Sequence, residues 1–141
     1  MTTTMTKRLE FDAAHRLMNH ETKCRNAHGH RYAVEVTVAL TVGGSLDKAG
    51  RVVDFGDVKR IFGGWLDETI DHSFIVNVDD LETLRYVDSV GSKFHLVHFE
   101  SSAENLAAYF LDVARSMLDA PNRRVESVVV YETPTSRAEA M

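Results

Sequence analysis

The stretch CRNAHGHRYAVEVTVAL, residues 24–40, sets the only cysteine of the chain four residues before His28, with Gly29 and His30 next at the mouth of a β-type run. In a strand, residues i and i+2 face the same way, so His28 and His30 present their imidazoles side by side. His15 closes an earlier strand-like segment, and antiparallel pairing lays the end of one strand beside the start of the other. Three imidazoles then surround one point. Three neutral nitrogen ligands with a fourth position open is the arrangement of catalytic zinc, whereas structural zinc is closed by four protein ligands. His20, His95 and His98 compete for the third place, and a polar turn leading into a metal-free sheet is the competing reading of the His-Gly-His motif.

Cys24 lies between Lys23 and Arg25, and cationic surroundings favour a thiolate. An isolated cysteine is most often a small buried hydrophobe; near a metal, its thiolate is a fourth ligand, a nucleophile or a general base. Spacing alone does not choose among these. Asp71 and His72 are adjacent, and a carboxylate beside an imidazole fixes its tautomer as proton transfer needs; a helix-terminating loop is the plainer reading. Glu132 ends an apolar strand, where it is either solvated or able to accept two parallel hydrogen bonds from an amidine-like edge. Glu104 has a structural reading, because Ser101-Ser102-Ala103-Glu104 matches a helix capping box.

These residues need a scaffold, and the chain supplies alternating patterns for one. KRLEFDAAH predicts a strand over about 6–15, and HGHRYAVEVTVALTV a long strand over about 28–42. RLMNHETKCRNA between them has no period and reads as a loop. GGSLDKAG reads as a hairpin connection, after which RVVDF begins a return. Asp54 is placed to N-cap a helix with Val58, Ile61, Phe62, Trp65 and Leu66 at helical spacing. A glycine pair at 63–64 weakens that helix by about 1–2 kcal/mol, so a packing reason is expected. KFHLVHF is a short strand candidate, and SSAENLAAYFLDVARSMLDA is the clearest helix, with Leu106, Tyr109, Phe110, Val113, Met117 and Leu118 on one stripe. RVESVVVYE is a final strand. Segregated strands and helices predict an α+β fold with an antiparallel sheet and two helices on one face.

The 141 residues fit one domain spanning 1–141, without repeats or linkers. A lone cysteine forms no internal disulfide, which suits a reducing cytoplasm. No apolar run approaches the ~18–20 residues of a membrane span, and the first segment lacks the apolar core of an export signal. A net charge of −5 speaks against nucleic acid as the main partner. Arg16, Lys23, Arg25 and Arg31 nevertheless cluster around the cysteine segment and create a locally positive site for an anion.

From about Phe11 to Ala138 the chain resembles the 6-pyruvoyl-tetrahydropterin synthase / 6-carboxytetrahydropterin synthase family of the tunnelling fold. The resemblance is carried by FDAAHRL, CRNAHGHRY, VVDFGDVK, IDHSFI, SSAENLA and YETPTSRAE in that order. It implies zinc on His15, His28 and His30, Cys24 as proton acceptor, Asp71 and His72 as a relay, and Glu132 as anchor for the pterin and a member of that relay. It also implies barrels of several subunits, commonly homohexamers, with sites at the interfaces. Ile75, Ser101 and Arg137 stand where members often carry leucine, proline and an aromatic residue, and the segment 78–100 is longer than in many members.

The short Cys-x-x-x-His-Gly-His spacing resembles the bacterial enzymes of the queuosine (7-deazaguanine) pathway, while the eukaryotic pyruvoyl-forming enzymes place more residues there. A third group carries glutamate in or beside the cysteine position, where Arg25 stands here. The resemblance therefore implies a carbon–carbon lyase converting 7,8-dihydroneopterin triphosphate to 6-carboxy-5,6,7,8-tetrahydropterin, acetaldehyde and triphosphate. The pyruvoyl-forming lyase is the alternative within the family. A zinc- or pterin-binding protein without turnover is the alternative outside it, disfavoured by a thiol in register with His72 and Glu132.

Overall fold

The computed structural model describes residues 2–141. Its centre is a six-stranded sheet built from β1 (Thr4–His15), β2 (His28–Leu40), β3 (Ser73–Asn77), β4 (Phe94–Val97), β5 (Arg123–Thr133) and β6 (Ser136–Ala140) in the order β4-β3-β1-β2-β5-β6. The helices are α1 (Phe55–Val58), α2 (Gly64–Thr69), α3 (Leu81–Ser89) and α4 (Ala103–Leu118). The fold class is the α+β class expected, with two differences. The sheet is mixed, because β3 pairs parallel to both β1 and β4, and α3 is a further helix in the long 78–100 segment. Among the described residues no helix is long and apolar enough to cross a membrane.

Alternation sets the two faces of the sheet. Phe11 and Ala13 of β1, Tyr32, Val34, Val36 and Val38 of β2, and Val128 and Val130 of β5 are buried on the helix side. Against them α4 packs Leu106, Ala107, Phe110, Leu111, Ala114 and Leu118. Each fully buried large side chain there contributes about 1.5–3 kcal/mol. The buried stripe is rotated from the expected one: Tyr109 and Val113 are half-buried and Met117 is exposed, while three alanines of α4 face the core. Small residues let the helix lie close on a sheet already crowded by Phe11 and Tyr32, whose rings stack at 4.9 Å.

The opposite face is polar and cross-linked between strands. Thr6 and Thr37 share a hydroxyl hydrogen bond of 2.8 Å, and Arg8 meets Glu35 at 3.3 Å. Arg31 meets Asp12 at 3.1 Å, and Arg8 also lies 4.9 Å above the ring of Tyr131.

Asp54 caps α1 as expected, accepting from the Gly56 amide at 2.6 Å. The helix does not run on unbroken: a π-helical turn, Lys59–Gly63, joins α1 to α2. Gly63 has the anticipated packing reason, since a Cβ there would meet Leu9 Cδ2 at 3.3 Å, whereas nothing crowds Gly64. RVVDF does not return as a strand; the chain turns through it into α1. The capping box is also displaced by one residue. Ser102, not Ser101, caps α4 by accepting from the Asn105 amide at 3.3 Å, which takes Glu104 out of the box and frees Ser101 for another contact.

Among the described residues three strand edges are open. β3 pairs with β1 only at Ala13 and Ala14, so from Thr4 to Phe11 the outer edge of β1 has no strand beside it, nor do the outer edges of β4 and β6.

Candidate metal centre and active site

Antiparallel pairing in register sets His15 opposite His28 and Ala13 opposite His30. Because these positions share the helix-side face, the three imidazoles meet at the end of the β1–β2 ladder, with ring centres 4.7, 4.8 and 5.2 Å apart. The Glu132 carboxylate joins them from β5, its Oε1 lying 3.2 Å from His15 Nε2 and 2.9 Å from His30 Nε2. One ligand atom from each of the four residues lies within 4.8 Å of every other.

The hydrogen bonding of this cluster fits a cation. His15 is fully buried, and its Nδ1 lies 2.9 Å from the Ser101 carbonyl and 3.2 Å from the Ser101 hydroxyl. His28 Nδ1 lies 2.7 Å from the Asn26 carbonyl. A carbonyl only accepts, so both rings carry their proton on Nδ1 and turn a lone pair outward at Nε2, which is how metal-bound histidines are commonly held. Those two Nε2 atoms face each other at 3.2 Å, where two lone pairs repel unless a cation lies between or beside them. His30 Nε2 is buried and has no hydrogen bond of acceptable geometry, despite its nearness to Glu132.

Charges follow the same logic. Burial, partly opposed by Glu132, keeps His30 below the ordinary histidine pKa and therefore neutral, as a ligand must be. Tyr32 lies under the rings, 5.4 Å from that of His30. Its hydroxyl is buried without a protein partner, and burial pushes its pKa up, so it stays neutral.

Asp71 and His72 do contact each other, with His72 Nδ1 2.8 Å from Asp71 Oδ2. The second oxygen, Oδ1, accepts the Asp12 amide at 2.9 Å. Burial opposes the Asp71 charge, but the Asp12 amide, His72 and Lys93 outweigh it and the pKa falls below the ordinary value. His72 has φ of +59°, the left-handed region, and its amide donates to the Asp12 carbonyl at 2.7 Å. A strained backbone of this kind costs about 1–3 kcal/mol and is commonly held where a side chain must be aimed. The imidazole is exposed, with its Nε2 directed away from Asp71.

Two clefts open on the polar face, and His30 lines both. One, of about 430 Å³, is lined by Asp12, Gly29, His30, His72, Ser73 and Phe74 among others. The second, of about 370 Å³, includes Arg8, His30, Arg31, Tyr131, Glu132 and Thr133. Cys24 lies half-buried in a 3₁₀ turn, Lys23–Arg25. It lines neither cleft and is absent from the four-residue ligand cluster, so within one chain it is not a fourth ligand.

Of the competitors for the third imidazole place, His20 bonds its own loop at the Thr22 amide, and His95 bonds the Tyr109 hydroxyl at 2.8 Å. Neither they nor His98 belongs to the cluster. Sequence reasoning missed Ser101 and Asn26, which act through backbone carbonyls and leave no side-chain signature. It also missed Lys93, whose ammonium caps the Asp71 carbonyl at 2.6 Å.

Comparison with known proteins identifies the family. The sequence profile of 6-pyruvoyl tetrahydropterin synthase matches residues 4–141. A 6-carboxy-5,6,7,8-tetrahydropterin synthase of Rickettsia conorii is 37% identical over 131 residues, covering 92% of this chain and 93% of the relative. One from Haemophilus influenzae is 30% identical over 138 residues, 96% of each chain. Among solved structures, an uncharacterised protein of Wolinella succinogenes superposes with a TM-score of 0.84 at 25% identity, covering 99% of this chain and 98% of that one. The 6-pyruvoyl tetrahydropterin synthase of Caenorhabditis elegans gives 0.70 at 25% identity, covering 99% and 95%. A profile spanning nearly the whole chain, over a sheet that gathers its motif histidines at one point, makes this protein a member of the 6-pyruvoyl tetrahydropterin synthase family.

Proposed function

We propose that this protein is a zinc-dependent 6-carboxy-5,6,7,8-tetrahydropterin synthase of 7-deazaguanine (queuosine) biosynthesis, working as one domain in the cytoplasm. The observation that carries the reading is the convergence of the Nε2 atoms of His15, His28 and His30, two of them with their Nδ1 protons tied to backbone carbonyls. The names of the bacterial relatives support the choice of product. The reaction converts 7,8-dihydroneopterin triphosphate and water to 6-carboxytetrahydropterin, acetaldehyde and triphosphate.

His15, His28 and His30 would hold the zinc, and the ion would supply Lewis-acid chemistry toward a substrate hydroxyl. The remaining work belongs to side chains. Cys24 takes a proton from the substrate side chain at Sγ. His72 returns or relays a proton at Nε2, its other nitrogen held by Asp71. Glu132 anchors the pterin, because the 2-amino and N3–H donors match the two oxygens of a carboxylate. Its placement beside His15 and His30 brings that anchor next to the zinc. Lys23, Arg25 and Arg31 offer the triphosphate its counter-charge.

Cys24 lines neither of the clefts that His72 and Glu132 line, and the free edges of β1 and β6 are suited to pairing between chains. Both features support a homo-oligomeric barrel, a hexamer in the family pattern, whose polar sheet face lines the interior and whose sites are completed at subunit contacts.

The test is incubation of zinc-loaded protein with 7,8-dihydroneopterin triphosphate. Release of triphosphate with zinc near one per chain is expected; zinc binding without triphosphate release would leave only a binding protein. Glu132→Gln is expected to raise KM by about 10–100-fold, the weight of a charge-assisted hydrogen bond of about 1.5–3 kcal/mol. An unchanged KM would remove Glu132 from the pterin.

A further inference from the structure

The loop carrying Cys24 joins β1 to β2, and its regular structure amounts to the single 3₁₀ turn Lys23–Arg25. Its placement depends on ties at its base. The Leu17 amide donates to the Cys24 carbonyl at 2.9 Å, so the cysteine backbone is referred directly to residue 17. One residue earlier, Arg16 directs Nε and Nη2 at the two oxygens of Asp80, at 2.6 and 2.5 Å. A forked pair of this kind fixes both the position and the orientation of the guanidinium. A weaker tie joins the Asn19 amide to Glu100 Oε2 at 3.4 Å, with Asn77 Nδ2 on the other Glu100 oxygen at 3.1 Å.

Asp80 is 4% exposed. A carboxylate that deep needs a cation, and removing one partner of a buried pair is far more damaging than the net worth of the pair. Arg16 leads the contacts that hold the Asp80 pKa below its usual value against the pull of burial. Glu82 lies 3.6 Å from the same guanidinium, but in solvent, where such contacts are weak.

Asp80 also caps α3, accepting from the Thr83 amide at 3.3 Å and the Thr83 hydroxyl at 2.7 Å. Capping explains neither the charge nor the arginine. Asparagine caps helices as well as aspartate does, and the partner is 64 residues away in sequence.

We infer that Arg16 and Asp80 are positioning residues: the N-terminus of α3 grips the base of the Cys24 loop and sets where the thiol stands relative to the metal ligand His15, the neighbour of Arg16. The long 78–100 segment thereby gains a function, as the anchor of a catalytic loop. The consequence for turnover rests on Cys24 as the proton acceptor; the positioning of the loop does not.

Two variants separate clamp from cap. Asp80→Asn keeps the cap and the volume and removes the charge, and Arg16→Lys keeps the charge and removes the fork. The measurements are zinc content, thermal melting, kcat and KM, and the rate at which iodoacetamide alkylates Cys24 without substrate. The chain has one cysteine, so that rate reports on this loop alone. In Asp80→Asn the expected result is wild-type zinc and KM and a folded protein. Its kcat is expected to be lower by about 10–100-fold, since a ~1 Å misplacement costs about that much, and the half-buried thiol to be alkylated severalfold faster. Arg16→Lys falls between it and the wild type. Wild-type alkylation rates in both variants overturn the clamp, as does a loss of kcat that only accompanies loss of zinc or of fold. If the wild type does not release triphosphate, the proposed function fails, and the alkylation rates still decide the clamp.

Discussion

Replacement of Cys24 by alanine is expected to lower turnover by about 10²–10⁴-fold, the range supplied by a positioned general base, while zinc stays bound. The expectation has two parts with separate grounds. The loss of rate follows from assigning the substrate proton to Sγ. The retention of metal follows from geometry, because the converging ligand atoms come from His15, His28, His30 and Glu132 and not from Cys24. The side chain is half-buried in a loop, so its truncation leaves no large core cavity and the fold should survive. Parallel measurement of zinc by atomic emission and of triphosphate release separates the outcomes. Loss of zinc together with activity would make Cys24 a ligand and the site structural in type. Near-normal turnover would assign the proton to another base.

The second large effect is on the metal. His28→Ala is expected to weaken zinc binding by more than about 100-fold, since even the hydrogen-bond partners of metal ligands are worth about 10–100-fold. His28 gives the clearest experiment of the three. His15 is fully buried and holds Ser101, so its truncation opens a cavity and orphans a carbonyl, and a melting change would confuse the result. His28 is half-buried, with its Nδ1 bonded within its own turn to Asn26. Zinc retained at full stoichiometry in all three single variants, His15→Ala, His28→Ala and His30→Ala, would remove the metal assignment.

The histidine cluster was legible because it rests on period-2 alternation. Two long alternating runs imply a pair of strands, and antiparallel pairing carries His15 to His28 without knowledge of the rest of the fold. The pairing at that end is also reinforced by Gly29, where a Cβ would lie 3.3 Å from the Ala13 carbonyl oxygen. β3 was not legible, and the reason is physical. Ser73–Asn77 is buried at all five positions, with Ile75 in the main core and Phe74 and Val76 packed on Val87 of α3. A strand covered on both faces has no alternation to show. The same burial explains the mixed sheet, since a parallel strand enters through a crossover that no local pattern announces.

The displaced cap of α4 is a different kind of miss. Two adjacent serines offer two registers, and the choice falls on Ser102 because Ser101 is drawn into the core beside His15. Cys24, His72 and Glu132 were each visible as reactive types, but their mutual placement is a property of topology that no local pattern announces. Arg16 was read only as part of a positive cluster and Asp80 gave no signal, since their pairing joins the residue after β1 to the N-cap of α3 across 64 positions of sequence.

The length of the Cys24–His28 tether is what links this sequence to one product. Three residues, Arg25, Asn26 and Ala27, separate the thiol from His28, which restricts where Sγ can stand and hence which proton it removes. The direct measurement is mass spectrometry of the reaction with 7,8-dihydroneopterin triphosphate, with acetaldehyde trapped as a hydrazone. 6-Carboxytetrahydropterin is expected as the main product with acetaldehyde in equal amount; 6-pyruvoyltetrahydropterin as the main product with no acetaldehyde would instead make the protein the pyruvoyl-forming lyase.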